Sequence, residues 1–556
     1  MQSCLLKILA HIKTSGYSIL KNIKRFGIRI KLLRDPYELR QISPQQHNKN
    51  SGPVPRIGFL LFTSQANVEV FLALQETIKS IIDQGSQQWH IFLPEFSTKS
   101  DLALIQADPR ITQIDYLPSA RTLVQQNPEI DFYTIMEAGD ILLPGALSEI
   151  TRLVQQTCCA VLYTDEDTHN PNGKRSCPLL KPDWSPDLLQ AYPYWGKLTL
   201  YSRSLLTRLD IDILPANQHL LALQAAAQTS NIAHLHQVVV SCPKRQDSYN
   251  LQQRESNPSI VSASWSLESS ITVDPVSPDM QIPPLVSIIV CCRDKAHLTK
   301  RCLESIFQRS HYQNFELLLV DNDSQRAETL ALYQYWQRKE ARFRLTKISL
   351  PFNFSRLNNQ AVTIAQGDHL LFLNNDTEVI SENWLDELVS FCQKPHIGSA
   401  GPLLLYRNGT IQHAGILVDR GSIRHAFYRQ RPVLPGYMKR LAVPSNFSAL
   451  TAACLMIRRE VFEQVNGFDE ALGTAYNDVD LCLKLSKKGF YHTLLPQIRL
   501  YHYESATRGY DIFSQKRSRL DQEYRYLQAR WPEIMEPDPF YHAMFSPLGS
   551  SFDDYS

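Results

Sequence analysis

Between residues 285 and 376 the chain alternates short apolar, β-branched runs with amphipathic segments, and that rhythm leaves few folds open. Residues 285–290, 315–320, 343–348 and the run from Leu370 read as strands, while 297–308, 325–339 and 354–365 have helical spacing. Strand and helix in alternation on short connections predict a parallel sheet with right-handed crossovers. Ligands of such sheets bind beyond the carboxyl ends of the strands. Two of these strands end there on polar residues: one runs into Asp321-Asn322-Asp323-Ser324, the other into Asn374-Asn375-Asp376-Thr377. A carboxylate amid amides and a hydroxyl suits a hard divalent cation that keeps waters and meets substrate phosphates. The same residue types also make turns and helix caps. No GxGxxG follows the first strand, which argues against a dinucleotide site.

A second stretch with the same rhythm precedes it. Residues 57–62, 89–93, 132–136, 160–163 and 238–240 read as strands, and 68–83 and 147–156 as helices. The 556 residues are too many for one ordinary core, so two large α/β units are expected. A hydrophobic content of 43% with 20% charged residues is globular, and a net charge of +2 gives no pull toward nucleic acid. The eleven cysteines form no CxxC pair and no zinc-type spacing, no apolar run approaches 18 residues, and no secretory signal pattern opens the chain. A cytoplasmic location is expected. Residues 1–50 set lysines and arginines among leucines and isoleucines as a basic amphipathic helical segment with a linker. It suits either the inner face of an anionic plasma membrane, as a peripheral contact, or the protein's own body.

Further on, Asp478 falls in the first turn of an amphipathic helix, where the helix dipole favours an ionised carboxylate available as a base. Asp480, four residues before Lys484, reads as a surface ion pair. His502 closes another strand beside a segment containing Arg508. The stretches VSIIVCCRDK, FELLLVDNDS, PFNFSRLNNQA, LLFLNNDTEV, IQHAG, TAACLMIRREVF, GFDEALGTAYNDVDLCLKL and LYHYESATRG, in this order, resemble family 2 glycosyltransferases of the GT-A fold. Residues 56 to about 243 resemble a second copy, as in tandem enzymes of surface-polysaccharide and O-antigen assembly.

The resemblance implies two tandem GT-A domains, Rossmann-like with mostly parallel sheets: 51–243 degenerate and inactive, 244–283 a linker, 284–512 active, and 513–556 a C-terminal helix and extended tail. It implies inverting transfer of a sugar from a nucleotide-diphosphate sugar to a hydroxyl of a growing glycan or lipid-linked acceptor, with Mn²⁺ or Mg²⁺ as the divalent cation. Asp478 matches the general base. Arg293, Asp294, Asp321, Asn322 and Asn374 match donor-binding positions, and Asp376 and His502 the metal ligands. Cys291-Cys292 and Asn374 depart from the family pattern, the first where Pro-Thr is common and the second where many members carry an acid. In the first copy, Glu95-Phe96, Glu137-Ala138-Gly139 and Gln218 stand where the nucleotide acid, metal motif and base would be. Its Asp165-Glu166-Asp167 reads most simply as a solvated acidic turn. The alternatives are a non-catalytic glycan-binding or scaffold protein, or a transferase with both halves active. A nucleotidyltransferase would need a glycine-rich phosphate loop that Cys291-Cys292-Arg293-Asp294 does not supply.

Overall fold

A computed structural model describes residues 53–63, 68–94, 108–114, 119–209, 211, 215–244, 283–432, 435–503, 515–546, 549 and 552. The basic segment 1–50, most of the linker 244–283, Glu95-Phe96 and Arg508 lie outside the described residues. Both sheets belong to one compact unit, Val54–Tyr555. Among the described residues no helix is long and apolar enough to cross a membrane.

The first sheet contains β1 (Ile57–Phe62), β2 (Trp89–Pro94), β3 (Ile111–Ile114), β4 (Phe132–Glu137), β5 (Ile141–Leu142), β6 (Val161–His169), β7 (Arg175–Leu179), β8 (Thr199–Ser202) and β9 (Ile232–Pro243). The second half contributes β10 (Val286–Cys292), β11 (Phe315–Asp321), β12 (Phe343–Lys347), β13 (His369–Leu373), β14 (Thr377–Val379), β15 (Ile397–Leu405) and β16 (Ile411–His413). It continues with β17 (Ile416–Asp419), β18 (Ser422–His425), β19 (Ser445–Phe447), β20 (Cys454–Arg458) and β21 (Tyr491–His502). The two large sheets have the same order, β3-β2-β1-β4-β8-β6-β9-β5 and β12-β11-β10-β13-β20-β15-β21-β14. Pair by pair the directions agree: β1 lies parallel to β2 and β4 as β10 does to β11 and β13, and β8 and β20 run antiparallel to their neighbours. The fold is two tandem α/β units of one design, each mixed beyond the parallel strands that the alternation predicts.

The strands that are nearly continuous apolar runs, such as Val286 to Val290 and Leu370 to Leu373, are buried, as sheets covered on both faces require. Leu370 and Phe372 face one core layer with Leu357, Phe462 and Leu485, while Leu371 and Leu373 face the other with Leu303, Trp384 and Leu388. This alternation presents the next residues, Asn374 to Asp376, at the sheet's carboxyl edge. The segment from Lys181 to Leu189 joins the halves. Ser185 donates to Asn446 Oδ1 at 2.8 Å, while Asp187 accepts from Asn446 Nδ2 and Thr493 Oγ1, each at 2.6 Å, and lies 3.1 Å from His396 Nε2. Leu180 and Val238 of the first half sit in the same apolar cluster as Phe372 and Phe447 of the second.

Candidate active site

Strand β13 ends at Leu373, and a turn follows in which Thr377 Oγ1 donates to the Asn374 carbonyl at 2.8 Å. Asp376 is 4% exposed and its Oδ1 stands 3.3 Å from His502 Nε2, brought there by the antiparallel pairing of Thr377 with His502. Asn374 Nδ2 lies 3.3 Å from the same nitrogen. Asn375 turns the other way and donates to Thr299 Oγ1 at 3.2 Å, so it belongs to the packing beneath the site. His502 Nδ1 is 3.3 Å from Gln412 Oε1, a carbonyl partner of the kind that fixes an imidazole ligand's tautomer and orientation.

Gln412 opens a polar layer that sequence reasoning passed over, although the IQHAG match contained it. Buried His413 and half-buried His425 meet Nδ1 to Nδ1 at 2.9 Å, and the Gly415 N–H donates to His413 Nε2 at 3.3 Å. A ring accepting at Nε2 carries its proton on Nδ1, so His413 donates to His425. Burial, then His425 and His502, hold the His413 pKa well below its ordinary value. It is a neutral spacer near pH 7.

Asp478 lies in the first turn of the helix Asn477–Ser486, as the spacing predicts. Its Oδ2 accepts the Ala452 N–H at 3.2 Å and its Oδ1 the Val479 N–H at 2.9 Å. One residue on, the Ala453 carbonyl accepts the Asn374 N–H at 2.9 Å. The Thr451–Ala453 turn therefore holds the Asp478 carboxylate and the Asn374 backbone to one frame.

At the end of β11, two strands from β13, Asp321 is buried and its Oδ1 accepts the Ser324 N–H at 3.1 Å. Asn322 spends both amide hydrogens on the carbonyls of Ile348 and Leu350, at 3.0 and 2.8 Å, while its Oδ1 has no hydrogen-bond partner among the described residues. Asn322 thus shapes the wall, and Asp321 lies beside it. Asp294 Oδ1 accepts the N–H groups of Gln325 and Arg326, both at 2.9 Å, tying the loop after β10 to the loop after β11. Arg293 beside it is exposed. Cys291 and Cys292 complete β10, where burial pushes the Cys292 thiol up to about 12 and places its Sγ 3.0 Å from Tyr333 Oη.

Two sequence expectations fail here. Asp480 forms its ion pair with Lys484 at 3.2 Å but is fully buried, and it also meets Arg530 and the Trp531 indole N–H, at 3.1 and 2.8 Å. Helical spacing cannot reveal that the C-terminal helix Gln515–Arg530 covers this face. Asp165 and Asp167 belong to β6 and are buried, each held by basic side chains, so they form no solvated turn.

The first sheet supplies an internal comparison, because register aligns the halves. Phe132 of β4 and His369 of β13 occupy equivalent positions, which sets Glu137 on Asn374 and Gly139 on Asp376. The β4–β8 and β13–β20 pairings set Lys197 on Ala453. Lys197 Nζ reaches Glu137 Oε1 at 2.6 Å, so an ammonium stands where the second half carries only the methyl side chain of Ala453. Gly139 has φ +97°, and a Cβ there would meet Pro243 Cγ at 2.6 Å, leaving no room for an aspartate. Continuing along β5 and β9, Cys242 stands on His502. Gln218 starts the helix Gln218–Gln228 and lines a cavity of about 170 Å³ with Glu166 and Lys197.

Residues 287–465 match the model of glycosyl transferase family 2. The chain is 31% identical over 512 residues to Uncharacterized protein y4gI of Sinorhizobium fredii, covering 84% of this chain and 55% of that protein. It is 32% identical over 505 residues to O-antigen biosynthesis protein RfbC of Myxococcus xanthus, covering 84% of this chain and 39% of the relative. Over 145 residues it is 29% identical to N-acetylglucosaminyl-diphospho-decaprenol L-rhamnosyltransferase of Mycobacterium tuberculosis, covering 24% of this chain and 47% of that enzyme. The chain thus spans about half or less of the length of these relatives.

Proposed function

We propose that this chain, whose residues 287–465 form a glycosyl transferase family 2 domain, moves a sugar from a nucleotide-diphosphate donor to an acceptor hydroxyl with inversion at the anomeric carbon. The observation that carries the proposal is the shared frame of Asp376, His502 and Asp478 around the Ala452-Ala453 turn. Asp376 and His502 offer an oxygen and a nitrogen 3.3 Å apart, a donor set that fits a divalent ion such as Mn²⁺ or Mg²⁺. When bound, the ion supplies electrostatic stabilisation of the departing diphosphate.

The chain's own residues do the rest. Asp478, held at both oxygens by backbone N–H groups, takes the proton of the acceptor hydroxyl as that oxygen attacks the anomeric carbon. The bond to the nucleoside diphosphate breaks on the opposite face. Asp321 and the loop carrying Arg293 and Asp294 border the nucleotide, with Asn322 shaping the wall beside them. Asn374 and Gln412 orient His502. The acceptor is a growing glycan or a lipid-linked oligosaccharide, a proposal supported by the O-antigen and diphospho-decaprenol relatives. The first half is a retired copy: Lys197 fills the cation space, and the metal carboxylate and imidazole positions hold Gly139 and Cys242.

The test is a panel of nucleotide sugars with Mn²⁺ and polyprenyl-linked acceptors, read by nucleoside diphosphate release and by the anomeric configuration of the product. Release with inversion is expected. Retention of configuration, or no release from any donor, contradicts the proposal.

A further inference from the structure

Away from the proposed catalytic frame, the first half gathers Asp183, His234 and His236, whose ligand atoms all lie within 4.8 Å of one another. His234 Nδ1 and His236 Nε2 converge on one carboxylate oxygen, Asp183 Oδ1, at 3.1 and 2.9 Å. Ligands bound at about 2.0–2.1 Å with tetrahedral angles stand roughly 3.3 Å apart, close to both histidine–carboxylate distances here. We propose that Asp183, His234 and His236 form a binding site for a zinc-type divalent ion, separate from the catalytic cation and with its remaining position open to water.

The surroundings are those of a built site. His234 and His236 lie two residues apart on β9 and their rings meet at a tilt, centroids 4.1 Å apart, so both face the same side of the sheet. His234 Nε2 stands 3.1 Å from Asp165 Oδ1, while Asp165 Oδ2 lies 2.9 Å from His542 Nε2. Asp165 and His542 are both buried, and the Lys181 N–H donates to Asp165 Oδ1 at 2.8 Å. A carboxylate on the far nitrogen of a ligating imidazole fixes the ring's tautomer and raises its basicity, and here it turns Nδ1 toward Asp183. Tyr163 stacks on His234 at 4.6 Å and 10° between planes, holding the ring from its face. The Asp183 N–H donates to the Pro539 carbonyl at 2.7 Å, which anchors the third ligand's backbone. The side chains of Asp183 and His236 are 39% and 46% exposed, which gives an ion its route in.

Two imidazoles and one carboxylate suit zinc, cobalt or nickel better than magnesium, which prefers an all-oxygen octahedron. An ion here would cross-link β9 to the 180–185 loop, and through Asp165 and His542 brace the C-terminal stretch against the first half. The site is independent of the proposed transfer reaction.

The test uses the untagged full-length chain, stripped with a chelator and titrated with Zn²⁺ and then Co²⁺ in excess Mg²⁺. The wild type and Asp376→Ala should each bind one equivalent of Zn²⁺, raise their Tm on binding, and give the visible absorption of four-coordinate cobalt. His236→Ala, at a half-exposed position, should keep its far-ultraviolet dichroism and weaken Zn²⁺ binding at least ~100-fold. Asp165→Asn should weaken it roughly 10–100-fold. Equal affinity in wild type and His236→Ala, no Zn²⁺ binding in Mg²⁺, or loss of the equivalent in Asp376→Ala would each overturn the proposal.

Discussion

His369 opens the strand that leads to Asn374, and both its ring nitrogens are buried without a hydrogen-bond partner among the described residues. Burial, then Arg458, hold its pKa down at about 4, and burial does the same to His492 although the latter hydrogen-bonds the Cys482 carbonyl. Between about pH 6.5 and 4 the unfolded chain binds these protons and the folded chain does not. Their stabilisation is therefore complete above 6.5 and is lost as the pH falls through that window, on the order of 3 kcal/mol for each. The equivalent residue of the first sheet is Phe132, so His369→Phe should flatten the fall in Tm between pH 7 and 5 without displacing the strand. An unchanged slope would mean that His369 titrates normally in the folded protein. Gln412 acts at the same scale: Gln412→Ala frees the His502 ring, and metal-dependent donor binding, followed by calorimetry, should weaken roughly 10–100-fold.

At the scale of elements, the lead-in to β20 separates the two halves most sharply. Ala453→Lys copies the Lys197 arrangement into the second half and should remove metal-dependent turnover, with metal-independent nucleotide binding as the control for folding. Retained turnover would mean that the ammonium and the cation do not compete for one space. Elements of this kind were largely legible: the apolar runs at Ile57–Phe62 and Phe315–Asp321 and the helical period of Val68–Ile82 and Gln515–Arg530 locate themselves by periodicity. The antiparallel insertion of β20 beside β13 was not, because a short apolar run such as Cys454–Arg458 carries no mark of its direction. Asp376, Asp478 and His502 could be named as candidates from the polar residues that interrupt apolar runs. Gln412, His413 and the Asp183 cluster could not, since their partners are 90, 12 and up to 53 residues away in sequence. Asp480 misled for the same reason, its cover coming from Arg530 and Trp531.

Across the whole molecule, the first half is a packed partner of the second, and the stretch Lys181 to Leu189 is its junction with the other sheet. Burial alone would raise the Asp187 pKa, but His396, Thr493 and Asn446 pull it below the ordinary carboxylate value. Asp187→Ala would leave those buried donors unmatched and should cost about 3 kcal/mol, seen as an earlier unfolding transition in urea. The asymmetry between the halves is the central claim, and one assay of nucleoside diphosphate release on Asp478→Asn and Gln218→Ala tests it. Asp478→Asn is expected to lose roughly 10²–10⁴-fold in kcat with donor binding nearly intact, while Gln218→Ala keeps the wild-type rate. Wild-type turnover by Asp478→Asn, or a comparable loss in Gln218→Ala, would contradict the assignment of an active second half and a retired first.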